Sequence, residues 1–311
     1  MIRAPRPTDL LPLLAFSRRA VANEARPGER LSNGANIPLP LGTFFQEWLS
    51  LDENRYSWLA LQGREIVGLV SVRNRAHQSV WELDRIFLTS HQDPEETCQA
   101  LLEYLGAVGG EIGIEKVFLR LEQGSPLVPA AHQAGFAPYA EETLYRVPAA
   151  QSAPASGVAP PPGLRHRQRH DDQALFRLYN IAIPGEVRRA EALTLREWLA
   201  IQPASTRGGR EWVLESDGQL VAWLRVTRMV RCGWFELLVH PDYQDLVEAL
   251  VPFCLVQLGP RRIALILVPQ FKTRLAWAVQ EQGGEEAGLY TALVRRLTVR
   301  VRMPRLMPVR A

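Results

Sequence analysis

Trp58-Leu59-Ala60-Leu61-Gln62-Gly63-Arg64-Glu65-Ile66-Val67-Gly68 and Trp212-Val213-Leu214-Glu215-Ser216-Asp217-Gly218-Gln219-Leu220-Val221-Ala222 are two writings of one pattern. In each, an apolar run led by tryptophan meets a glycine-bearing turn and resumes as a second apolar run. That reads as two strands paired through a tight turn in which glycine supplies the positive φ. Outward from this pair the likeness continues. Glu47-Trp48-Leu49 returns as Glu197-Trp198-Leu199, and Glu82-Leu83-Asp84-Arg85-Ile86-Phe87-Leu88 is answered by Glu236-Leu237-Leu238-Val239-His240. The separation stays near about 150 residues, far above the roughly 20–50 of a solenoid or propeller repeat, so the repeated unit is a whole domain.

Length and composition agree with a duplication. A chain of 311 residues has room for about two domains, and 47% apolar with 22% charged residues is ordinary globular composition. The net charge of +3 calls for no polyanionic partner. Lys116 and Lys272 are the only lysines in a chain otherwise rich in arginine. Cys98, Cys232 and Cys254 are widely spaced and form no Cys-x-x-Cys, so they read as buried thiols of a reducing cytoplasm rather than as disulfides or zinc ligands. The apolar stretch from Leu10 to Phe16 is broken by Pro12 and followed by no cleavage site, and reads as a first helix. Nowhere do 18 apolar residues run together, so no membrane span is expected.

Residues 148–163, Pro-Ala-Ala-Gln-Ser-Ala-Pro-Ala-Ser-Gly-Val-Ala-Pro-Pro-Pro-Gly, have no periodic apolar face and enough proline to stay extended. They read as a linker between a first domain, 1–147, and a second, 164–303, followed by a basic tail, 304–311. In the first copy the pattern predicts a strand at Ile2–Ala4, helices over Thr8–Ala22 and Gly42–Leu51, and strands at Tyr56–Leu61, Glu65–Arg73 and Val80–Leu88. A long helix opens at Pro94 and ends near Gly109-Gly110, within a glycine cluster from Gly106 to Gly113 that reads as a helix stop, because proline at the first turn loses no intrahelical bond and glycine accepts the left-handed stop. A strand at Lys116–Leu121, a helix at Val128–Ala134 and a closing strand at Glu141–Val147 complete it. The second copy repeats this order: Leu164–Arg167, Asp172–Ile181, Thr194–Ala200, Glu211–Glu215, Gln219–Val226, Trp234–Val239, Tyr243–Leu258, Ile263–Val268, Phe271–Glu281 and a closing strand at Ala292–Val301. The fold class is therefore α/β, each copy a central mixed sheet flanked by helices.

That order of elements, with Gly135-Phe136 after the last short helix and Tyr145 in the final strand, resembles the GNAT superfamily of acyl-CoA-dependent N-acyltransferases. The resemblance covers residues 1–147 and 164–302. It implies that the third meander strand splays from its neighbour, that acetyl-CoA lies in the gap, and that the cofactor's pyrophosphate rests on the start of the following helix. Such a site needs free backbone N–H groups, which glycines let approach closely, and the family supplies them from an Arg/Gln-x-x-Gly-x-Gly/Ala turn. The matching stretches here are Thr89-Ser90-His91-Gln92-Asp93-Pro94 and His240-Pro241-Asp242-Tyr243-Gln244-Asp245, both without glycine. Carboxylates in a first helical turn suit the helix dipole and repel a phosphate. The tyrosine that in the family protonates the departing thiolate has Ala131 and Val279 at its positions.

Glu82 and Glu236 share a position on the splayed strand in this reading and are the candidates for the base that deprotonates an attacking amine. A carboxylate paired with an arginine is the structural alternative, and arginines are plentiful. His166 and His170 lie in a strand and loop, where helical ligand spacing does not apply, so no metal is expected. The alternation of Arg296, Thr298, Arg300 and Arg302 with apolar residues gives a strand with one basic face, but no aromatics interleave for base stacking, so nucleic acid is not the expected partner. Two functions follow from the resemblance. One is a tandem acyltransferase-like protein that has lost acetyl-CoA chemistry and binds a small-molecule ligand or a protein. The other is a working N-acetyltransferase acting on a small or protein amine, with Thr89, Ser90, His91 and Gln92 holding the cofactor by side chains and the first copy, through Glu82, doing the chemistry.

Overall fold

The computed structural model describes residues 1–19, 24–25, 55–90, 93–148, 160–202, 209–228, 232–259 and 262–298. The helix expected at Gly42–Leu51, the linker core and the basic tail lie outside these residues.

The meander of antiparallel strands is present in both halves. In the first, β1 (Ile2–Arg3), β2 (Arg55–Gln62), β3 (Glu65–Asn74) and β4 (Val80–Leu88) run antiparallel, and β5 (Lys116–Glu122) joins β4 in parallel. Gly63 takes φ 59°, the conformation its turn required. In the second half β7 (Leu164–His166), β8 (Gly209–Ser216), β9 (Gln219–Arg228), β10 (Cys232–Val239) and β11 (Ile263–Pro269) repeat the arrangement.

The closing strands depart from expectation. β6 (Ala137–Val147) pairs with β11 of the other half, and β12 (Glu285–Arg296) inserts between β5 and β6, so all twelve strands form one sheet in the order β1-β2-β3-β4-β5-β12-β6-β11-β10-β9-β8-β7. Each half thus finishes its sheet with a strand from the other. β12 also starts seven residues earlier than expected and ends at Arg296, which leaves Thr298 past its end and Arg300 and Arg302 outside the described residues.

Helices cover both faces. α1 (Leu10–Arg19) buries Leu13 and Phe16 against Leu59, Leu69 and Phe87. α2 (Pro94–Ile112) and the short α3 (Val128–Gln133) cover the opposite face of the first half. In the second half α4 (Asp172–Ala182), α5 (Gly185–Glu191) and α6 (Leu195–Ile201) pack on one face, with α7 (Leu246–Leu258) and α8 (Thr273–Glu281) on the other. The core under α4–α6 includes Val80 and Phe118 of the first half, so the two halves share it.

The glycines of α2 serve two purposes. Gly113, at φ 96°, is the stop. A Cβ at Gly106 would stand 2.3 Å from the Arg295 guanidinium, and one at Gly109 would stand 2.8 Å from Leu297. These positions form a channel in which the second half's closing strand crosses the first half's helix, with Arg295 donating to the Leu102 carbonyl.

Candidate functional site

The gap implied by the resemblance is open in both halves. β4 and β5 pair only from Val80 to Glu82, and β10 and β11 only at Cys232 and Gly233, after which each pair of strands diverges. The register on the meander side fixes what is equivalent to what. Thr89 N–H donates to Val67 O at 3.1 Å and His240 N–H to Val221 O at 2.8 Å. Counting back from these matched residues, Ile86 corresponds to Leu237, and Arg85 to Glu236.

Glu82 and Glu236 therefore do not coincide. Glu82 stands opposite Arg73, whereas Glu236 stands opposite Arg225 in a strand pair without irregularity. The cause is local. A bulge between Ser71 and Val72 gives β4 an additional residue that β10 lacks, and the β3–β4 connection is longer than its counterpart. Sequence offset alone carries neither fact.

Glu82 is held by arginines. Its carboxylate accepts from Arg73 at 2.7 and 3.2 Å and from Arg120 at 3.2 Å, with Arg75 at 3.8 Å, and it is 14% exposed. Arg120 of β5 also clamps Glu142 of β6 at 2.6 Å, across the β12 strand that lies between them. Burial opposes the charge on Arg120, but Glu142, Tyr139 and Glu82 hold its pKa above the ordinary value. Glu191, at the end of α5, accepts from the Tyr179 hydroxyl at 3.1 Å, and burial pushes its carboxyl up while Arg75 pulls it back in part. Asp84 is fully buried, with Arg55 at 2.5 Å. The cluster has the composition of a structural ion network that ties β3, β4, β5 and β6 to helices of the second half.

At the helix starts, the chain satisfies its own donors. Asp93 accepts from Glu95 N–H at 3.1 Å and Glu96 N–H at 3.2 Å. Thr89 is buried with its hydroxyl on the Val67 carbonyl, and Ser90 is exposed; His91 and Gln92 lie outside the described residues. In the second half His240 Nδ1 accepts from Asp242 N–H, Pro241 has no N–H to offer, and Arg274 holds Asp245 and Glu248. A pyrophosphate needs those amides free and meets carboxylates instead.

The strand edges inside the gaps are also taken. Ile86 O accepts from Glu24 N–H at 3.2 Å, and its counterpart Leu237 O accepts from Lys272 Nζ at 2.9 Å. Ala131 and Val279 are fully buried and equivalent, each carbonyl receiving the N–H of Phe136 or Gly284 at 3.0 Å, so neither half has a hydroxyl there. Tyr145, carried across by the exchange, lies in the second half's core, its hydroxyl near Gln280 and Glu286.

Two further features escaped the sequence. Arg3 and Asp9 pair at 2.6 Å, and Arg165 and Asp171 at 2.8 Å, each aspartate also accepting the N–H at the start of its turn, from Arg6 or Gln168. The shared spacing, arginine then aspartate six residues on, was the available signal. An open groove of about 980 Å³ runs along the exchanged strands, bordered by Tyr139, Glu141, Glu186, Arg189, Val294 and Arg296. Tyr139 sits where the β6–β12 register shifts. Among the described residues no group of three or more histidine, cysteine or acidic side chains is placed to hold a metal, and no helix is long and apolar enough to cross a membrane.

No family model matches the chain, and no curated protein matches its sequence. Solved structures do. A GCN5-related N-acetyltransferase from Sphaerobacter thermophilus aligns at 14% identity over 95% of each chain with a TM-score of 0.56. A tandem GNAT protein from the clavulanic acid biosynthesis pathway aligns at 10% identity over 95% of this chain and 98% of its own, TM-score 0.54. The N-myristoyltransferase of Saccharomyces cerevisiae, with bound myristoyl-CoA, aligns at 10% identity over 95% and 82%, TM-score 0.53. The fold is that of the GNAT N-acyltransferases, present twice in tandem.

Proposed function

We propose that this is a tandem GNAT-like protein that has given up acetyl-CoA chemistry and binds a small-molecule ligand or a protein. The observation that carries the reading is the Asp93 carboxylate seated on the first free amides of α2, where a cofactor phosphate would have to go. The buried hydrophobic residues at the positions of the thiolate acid support it, and the groove along the exchanged strands offers a binding surface of ligand size. In this reading the units 1–147 and 164–303, joined by 148–163 and followed by the tail 304–311, work as one strand-exchanged body. Three buried free thiols fit a reducing, cytoplasmic setting.

Titration calorimetry of the full chain with acetyl-CoA tests this. No saturable heat is expected up to about millimolar ligand, whereas binding in the micromolar range overturns it. The alternative, an active acetyl-CoA-dependent N-acetyltransferase, draws support from the likeness to a chain with bound myristoyl-CoA and from the bulge beside Glu82, since bulges gather next to active sites. It would give Glu82 the role of base.

A further inference from the structure

Each of the two lysines of this arginine-rich chain donates to a main-chain carbonyl: Lys116 Nζ to Glu191 O at 2.7 Å, beside the Glu197 carboxylate at 3.1 Å, and Lys272 Nζ to Leu237 O at 2.9 Å. A compact ammonium can meet a single carbonyl in a narrow space where the wide guanidinium fork cannot. At Leu237 that space is the gap of the second half. Beyond Gly233 the β10 edge has no ladder partner on the β11 side, and its carbonyls there must be satisfied by something else. An extended arm carrying secondary amides would add to this edge as a short strand.

We propose that Lys272 is a side-chain latch on the second half's gap, occupying the strand-edge carbonyl that the amide-bearing arm of an acyl thioester would take. The inference rests on the reading that neither half retains its cofactor site, and extends it to the part of that site which does not touch phosphate. Lys272 is well placed to stay. The backbone N–H of Lys272 donates to Pro269 O at 2.9 Å, which sets it one turn after β11, and helix α8 begins with the next residue. Burial lowers the pKa of its ammonium, while Glu236, Glu191 and Glu142 draw it back toward the charged form. The first half reaches the same end by another route, with the main-chain N–H of Glu24 on the equivalent Ile86 carbonyl. Only the second gap can therefore be opened by changing one side chain.

S-Acetylpantetheine, which has the thioester and both amides but no phosphate, separates the latch from the helix caps. Titrated into the full chain by calorimetry, it is expected to give no binding to the wild type at millimolar concentration. Lys272→Met, which keeps the length and loses the donor, is expected to bind it at least about tenfold more tightly. Equal affinity for both proteins, or no binding to either, overturns the latch, while acetyl-CoA binding to the wild type overturns only the reading of function. If Lys272→Met does not fold, the wild type still decides. With two lysines, ¹⁵N-lysine labelling gives two ammonium signals, assigned through Lys116→Arg. Slow proton exchange at Lys272 Nζ that survives S-acetylpantetheine is expected, and exchange as fast as in free lysine overturns the proposal.

Discussion

The two halves share a backbone plan and solve the same local problems with different residues. At the start of β4 the first half buries Trp81 completely, while the matching position in β10 is Gly233, where a Cβ would stand 2.8 Å from the Thr227 carbonyl. After the last short helix one half places the buried Phe136 and the other Gly284. One open strand edge is met by a main-chain N–H and the other by an ammonium. What the halves keep in common is the framework: the meander, the diverging strands and the Arg–Asp clasp at the first turn. What differs is how each half satisfies the donors at its helix start and the carbonyl at its open strand edge. Duplicate sites under one chemical demand should resemble each other most at the site, and here they resemble each other least there.

The largest expected effect comes from separating the halves. Residues 1–163 alone lack β12, leaving β5 without one of its two neighbours and β6 without either of its own. This fragment is expected to show no cooperative melt and to aggregate, as judged by circular dichroism and size-exclusion chromatography. A monomer with a sharp transition would mean that the exchange is dispensable.

Next in size is the contrast between the two glutamates. Glu82→Gln removes the charge that Arg73 and Arg120 face in a confined setting, and roughly 2–4 kcal/mol of destabilisation is expected in urea unfolding. Glu236→Gln should cost under about 1 kcal/mol. Equal losses would put the halves on the same footing after all. If acetyl transfer is ever detected, the same pair ranks the copies, since loss of a general base costs about 10²–10⁴-fold in rate and falls on Glu82 alone.

Gly233→Ala should lower stability by roughly 1–3 kcal/mol, because the clash is with backbone that cannot rotate away. A change within experimental error would imply that β9 and β10 can separate at this point.

The smallest effect should be the same in both halves. Hydrogen bonds from Arg3 hold Asp9 below the usual carboxylate range, and those from Arg165 do so for Asp171. A depressed pKa contributes stability above the unfolded value near about 4 and loses it as pH falls through the folded one. Asp9→Asn and Asp171→Asn should each flatten the fall in Tm below about pH 4 by a few degrees. A flattening in only one variant would break the equivalence of the clasps.

Much of the framework was legible because it is written in local signals. Tryptophan-led alternation and a turn glycine located β2, β3, β8 and β9 within a residue or two, and Pro94 marked the start of α2, whose stop at Gly113 lies three residues beyond the expected Gly109-Gly110. α5 was not expected, and Pro184 serves as its N-cap. The partners of Glu82 were foreseen in kind, as arginines, but Arg120 and Glu142 meet across β12, and the insertion of that strand leaves no mark in the order of elements. The glycine run in α2 was read as a stop when three of its members make room for a strand written almost two hundred residues later.

That crossing sets a timetable for synthesis. Glu122 pairs with Tyr290, so the ribosome must add 168 residues after the first before the ladder between β5 and β12 can begin. At roughly 5–20 residues per second this is about 8–34 s during which α2 carries an empty glycine channel and β5 an unpaired edge. A nascent chain in that interval presents the hazards of an open sheet, and chaperone dependence should follow the rate of elongation rather than the stability of the finished protein.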